Sequence, residues 1–170
     1  AGGDVARSRI RIGKDRVDEF KRRVAAIGES SVRVGVLGEK ASAMADGGPM
    51  TVGQVAVVHE FGTSRIPKRS FLREPIDRTR EEIDARMAAL LMQVASGELE
   101  LHQALEQIGL SLSASLADGI RKGLPVPPLK PETVRKRMRK DGKTSKTPLF
   151  NTGQLANSIS HQIVKRDEAE

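Results

Sequence analysis

The sequence predicts an α+β fold: a small, mostly antiparallel sheet packed with several α-helices, with an extended N-terminal arm and loops. Three observations carry this. Val32, Val34 and Val36 alternate with Arg33, Gly35 and Leu37, the period of a half-buried strand. A second alternation, Ile159, His161 and Ile163, lies near the other end of the chain. Between them, apolar residues recur every three or four positions over long stretches, the period of helices with one buried face. An early strand, a late strand and helices between them give a sheet covered by helices.

The elements follow in order. Residues 1–14 read as an arm, with Gly2, Gly3, Gly13 and a short Ile10-Arg11-Ile12 alternation. A helix begins at Asp15, carries Val17, Phe20, Val24 and Ile27 on one face, and stops at Gly28. The first strand comes next. Gly38–Met50, rich in glycine and small residues, reads as a loop. Thr51 is placed to cap a short helix from Val52 to about Glu60, ended by Gly62. Pro67 keeps the next loop extended, and Pro75 suits the first turn of a helix running to about Val94. Ser96-Gly97 breaks it. A third long helix spans about Glu98 to Lys122, with Leu101, Leu105, Ile108, Leu112 and Leu116 in one stripe; Gly109 and Gly119 weaken it or admit a close neighbour. The run from Gly123 to Pro128 is a non-helical connector. Pro131 opens a short basic helix that stops near Asp141-Gly142, and Thr152 caps a last helical turn, Gly153–Ser158, before the second strand. The expected division is an arm over 1–14, a single domain over 15–165 and a tail over 166–170.

Composition narrows the function. The 170 residues include no Cys, Trp or Tyr and only four Phe, so the core is aliphatic and neither a disulfide framework nor a thiolate metal site is possible. No apolar run reaches membrane-spanning length and no signal-peptide core opens the sequence, so a protein made and used without export is expected. The net charge of +7 is unevenly placed. A basic run lies in the arm, and Lys130–Lys146 holds eight basic residues against Glu132 and Asp141. Within it, Arg135, Arg137, Arg139, Lys140 and Lys143 are candidates for facing DNA phosphates; no aromatic residue interleaves with them, so base stacking is not expected.

The densest stretch is Val55–Pro75, which holds two of the four Phe and one of the three His. His59-Glu60 resembles the start of H-E-x-x-H, but the second ligand position is Thr63 and Gly62 ends the helix there, so a zinc-protease site is excluded. Asp141-Gly142-Lys143-Thr144 resembles the end of a phosphate-binding loop, but Arg137 stands where its first Gly belongs. No nucleophile elbow is present. The residues favour a non-enzyme without metal or cofactor. His59, Glu60, Phe61 and Gly62 then form a structural corner: the His59 ring caps a turn or meets a loop amide, and Phe61 packs inward. Phe71 and Leu72 anchor the return of the loop, while Arg65, Lys68, Arg69 and Arg73 face outward. Arg65, Lys68, Arg69, Phe71 and Arg73 are the candidate partner-binding residues.

Three segments in order carry a family likeness. They are the H-E-F-G-T helix end with the I-P-K-R-S-F-L-R turn, the P-P-L-K-P-E-T approach to the basic helix, and the ending P-L-F-N-T-G-Q-L-A-N-S-I, which contains Thr152, Gly153 and Leu155. Together, across about residues 32–164, they resemble the tailed-bacteriophage tail-component family, described as tail-completion, neck, minor tail or virion-morphogenesis proteins. Lys68 stands where that family often has a small residue, and Asn151 where it usually has Asp. The resemblance implies no catalytic residues. It implies a virion protein of the head–tail junction, assembled in the host cytoplasm. This protein would form a homo-oligomeric ring, a hexamer, against connector or head-closure and tail-terminator or tail-tube proteins, with non-specific contact to passing DNA. The alternative reading of the residues alone is a basic module that contacts nucleic-acid phosphates through 130–146.

Overall fold

In the computed structural model, which describes residues 13–46, 48–141 and 146–166 (139–141 in backbone only), the two alternating segments pair. β1 (Ser30–Val36) and β2 (Ile159–Lys165) form an antiparallel two-stranded sheet, with Ser30 opposite Lys165 and Val36 opposite Ile159. Eight helices are described: α1 (Lys14–Gly28), α2 (Gly38–Ser42), α3 (Val52–Phe61), α4 (Arg73–Arg78), α5 (Arg80–Ser96), α6 (Leu101–Arg121), α7 (Pro131–Asp141) and α8 (Gln154–Ser158). The fold is α+β. Apart from Gly13 and Lys14, the expected arm lies outside the described residues, and of the expected tail only Arg166 is inside them.

α6 is the spine. It packs against both strands, and its stripe Leu105, Ile108, Leu116, Ala117 and Ile120 is buried. Gly109 faces β2, where a Cβ would run into the His161 ring. The small residue admits a side chain from the sheet, and His161 Nε2 reaches Glu106 Oε2 at 3.0 Å. The main core joins α3, α6, α8, the loop before α4 and the start of β2, through Val52, Ala56, Phe71, Leu116, Ile120, Leu155 and Ile159.

Local chemistry accounts for most boundaries. Thr51 and Gln54 form a reciprocal capping box at the start of α3, and Gly62 ends it at φ +78°. Gly97 ends α5 in the left-handed region, and the amides of Glu98 and Leu99 turn back onto the Gln93 carbonyl. That turn delays α6 to Leu101. Two expectations change. Gly38–Met50 is not loop throughout: Glu39, Lys40 and Ala41 are sound helix formers and build α2, and a bridge between Met44 and Thr51 closes the chain between α2 and α3. The helix expected from Pro75 to Val94 is two helices. Thr79 separates them, its hydroxyl donating back to the Pro75 carbonyl at 3.0 Å. The short basic helix expected from Pro131 to Asp141 is present as α7.

Candidate functional site: a carboxylate clasp and a basic cavity

The last residue on the inward stripe of α3 is an acid. Val52, Ala56 and Glu60 are the buried residues of that helix. The Glu60 carboxylate, 4 % exposed, accepts five hydrogen bonds from the returning loop. The Ser70 hydroxyl reaches it at 2.6 Å, the amides of Phe71, Leu72 and Arg73 at 2.9, 3.1 and 3.1 Å, and Arg73 Nε at 3.2 Å. Ser70 Oγ in turn accepts from the Glu74 amide at 3.0 Å, at the start of α4. Burial alone would raise the Glu60 pKa, but the Ser70 hydroxyl and the amides of Leu72, Phe71 and Arg73 outweigh it and hold the carboxyl below the usual glutamate value. Glu60 therefore organises the loop as an anion ligated by its own chain.

Residues 62–68 between the two halves of the clasp are fixed as well. Thr63 Oγ1 accepts from the amides of Arg65 and Ile66, and the Thr63 amide donates to the Ile66 carbonyl. A Cβ on Gly62 would sit 2.8 Å from the Lys68 nitrogen, so this close crossing requires glycine. Lys68 pairs with Glu74 at 2.8 Å.

Phe71 anchors the return as expected, but Phe61 does not pack inward. Phe71 is the buried anchor, 1 % exposed, whereas Phe61 is 59 % exposed. One side of the Phe61 ring carries the Arg73 guanidinium at 4.2 Å from its centroid. Phe61 follows the inward Glu60 by one residue, and the 100° helical step turns it away from the core. Of the residues expected to face outward, Arg65, Lys68 and Arg73 do so; Arg69 does not. It is 5 % exposed and donates from Nε to the Pro127 carbonyl at 2.6 Å and from a terminal nitrogen to the Pro128 carbonyl at 3.2 Å. The stacked prolines offer carbonyls without competing amide donors. Arg69 and Phe71 thus hold the turn from inside and are not contact residues.

The basic helix is corrected too. Arg135 is exposed, but Arg137 turns inward, donating from Nη1 to the Thr147 carbonyl at 3.1 Å and the Phe150 carbonyl at 3.4 Å. The side chains of Arg139 and Lys140, and all of Lys143, lie outside the described residues. In the C-terminal motif, Thr152 Oγ1 accepts from the Gln154 amide at 3.3 Å, Gly153 takes φ +86°, and Leu155 is buried.

His59 does not cap a turn. Its backbone carbonyl accepts from the Arg69 amide at 2.7 Å, while its Nδ1 is buried with no hydrogen-bond partner among the described residues. Burial, then Arg69, then Arg137 lower its pKa below the usual histidine value. Together the three side chains border a cavity of about 150 Å³. Sequence reasoning missed both Ser70 and this inward basic group; Arg69 two residues after Pro67 and Arg137 on a basic helix carry no local signal of burial.

Among the described residues, no group of three or more His, Cys, Asp or Glu comes together as a metal site, and no helix is long and apolar enough to cross a membrane. No family model, curated protein or solved structure matches the chain.

Proposed function

We propose that this chain is a structural protein of the phage head–tail junction, which assembles as a homo-oligomeric ring and completes the tail end or joins the tail to the head connector. The observation that carries the reading is the convergence of its three likeness-bearing segments on one joint. The helix end and aromatic return form the Glu60 clasp. The double proline receives Arg69 from that return, and the carbonyls of Thr147 and Phe150, beside and within the C-terminal motif, receive Arg137. Three short motifs distant in sequence act as one structural unit, as expected of a family scaffold rather than of chance matches.

The surfaces suit assembly. A ring needs heterologous contacts, one patch against a different patch on the neighbour. Val17, Phe20 and Val24 leave an exposed apolar row on α1, and Val57, Phe61 and Met44 leave a second exposed set on other elements. Size-exclusion chromatography with light scattering and negative-stain imaging test this, on the protein alone and with purified tails or connectors. Rings, or occupancy of the tail end, are expected. Mixing Phe20→Asp with Phe61→Asp should give dimers and nothing larger, because each variant keeps one working patch. A wild-type protein that stays monomeric with every partner refutes the proposal.

The nucleic-acid reading is the weaker one, since Arg137 commits itself inward. Unchanged DNA affinity at low salt after changing Arg135, Arg137 and Arg139 to Ala eliminates it.

A further inference from the structure

We propose that the cavity bordered by His59, Arg69 and Arg137 is a binding site for a single oxyanion, a phosphate or carboxylate group. The three basic side chains come from separate parts of the chain: the end of α3, the loop after it and α7. All three line the same cavity of about 150 Å³, which has room for such a group.

Its walls define the ligand class. Leu129, Leu149 and Leu155 supply apolar surface, and Asn151 and Thr152 supply polar groups at one side. Arg69 is nine-tenths buried, and its hydrogen bonds go to two neutral carbonyls; among the described residues no carboxylate lies within ion-pair distance of it. A buried guanidinium balanced only by neutral dipoles retains most of its charge. The Arg69 charge is felt by its neighbours: Arg137 is lowered by burial and then by Arg69, and His59 by burial and by both arginines. The buried Nδ1 of His59 has no partner among the described residues. Asp46 also lines the cavity and is the one acid there; its amide is fixed by Gln154 Oε1 at 2.8 Å. An incoming oxyanion would relieve the repulsion between the basic groups and give His59 Nδ1 an acceptor once the ring is protonated. The carbonyls that hold Arg69 and Arg137 account for their inward courses but not for the orphaned imidazole nitrogen beside them.

The test is a titration of the full chain with sodium phosphate and, separately, sodium acetate, against sodium chloride at matched ionic strength. Two-dimensional ¹H–¹⁵N spectra of the imidazole groups provide the readout. Saturable shifts of the His59 ring signals are expected with one of the oxyanions and not with chloride, and affinity should be greater at pH 6 than at pH 8. Preference for phosphate identifies a tetrahedral ligand, and preference for acetate identifies a carboxylate such as a protein side chain carries. Arg137→Gln should weaken binding about tenfold or more, as loss of a charged hydrogen-bond donor does. His59 signals that respond to no oxyanion in the wild-type protein, or binding unchanged in a folded Arg137→Gln variant, overturn the proposal. The wild-type arm decides the matter even where the variant does not fold.

Discussion

Replacing Glu60 removes the acceptor on which the whole return loop is built, and the cost follows from its partners. In Glu60→Ala the buried Ser70 hydroxyl and Phe71 amide lose their acceptor with no access to water, at ~1–3 kcal/mol for each stranded donor. The amides of Leu72 and Arg73 are only partly buried and recover some hydration. The expected loss is ~3–5 kcal/mol, the usual cost of breaking a buried charged network. Glu60→Gln separates charge from shape. Its amide group must face either the Phe71 and Leu72 amides on one side or the Ser70 and Arg73 donors on the other, so a loss of ~2–3 kcal/mol is expected even though volume is conserved. The same geometry fixes the acid limb. Because the folded-state pKa of Glu60 lies below its unfolded value, its contribution is complete above the ordinary glutamate pKa and is lost as pH falls through the depressed folded one. The chain has no Trp or Tyr, so urea unfolding must be followed by far-ultraviolet circular dichroism. A change below ~1 kcal/mol in Glu60→Ala, or a Glu60→Gln variant as stable as wild type with the same acid limb, would show that the clasp does not hold the fold.

The two phenylalanines of the motif should behave oppositely. Phe71→Ala empties the core centre and should cost ~3–5 kcal/mol, whereas Phe61→Ala should cost under ~1 kcal/mol in urea unfolding; equal costs would contradict their placement. Gly109→Ala should destabilise by ~1–3 kcal/mol although alanine is the better helix former, because the new methyl meets the His161 ring. A stabilised Gly109→Ala, measured as a rise in melting temperature, would mean that α6 and β2 are not in that close contact.

The strands and the three long helical regions were legible because their periodicities are plain and their ends carry local chemistry, such as the Thr51 capping box or the glycine stops at 62 and 97. What escaped was decided by hydrogen bonds that hydrophobic periodicity does not reveal. Thr79 breaks its helix through a hydroxyl that competes for a backbone carbonyl, in a stretch whose apolar period runs on unbroken. The inward courses of Arg69 and Arg137 are set by carbonyls at Pro127, Pro128, Thr147 and Phe150, many residues away from Arg69 and past the end of α7 for Arg137. No window of sequence around either arginine contains its partner in recognisable form.

The inversion of Phe61 and Glu60 has the same origin. α3 is apolar on nearly every side, so periodicity cannot choose its inner face, and hydrophobicity alone puts the phenylalanine inside and the acid outside. The choice is made at 52, 56 and 60, four residues apart, which form one stripe only if an acid can be tolerated at its end. Ser70 and the amides of 71–73 make it tolerable, because together they replace the water a buried carboxylate gives up. Once Glu60 is inside, Phe61 must be outside, and the exposed aromatic with its stacked arginine becomes available as a contact surface. The polar clasp and the exposed ring are therefore one arrangement: the chain uses a charged hydrogen-bond network to orient α3, and that orientation leaves Phe61 as its most exposed phenylalanine.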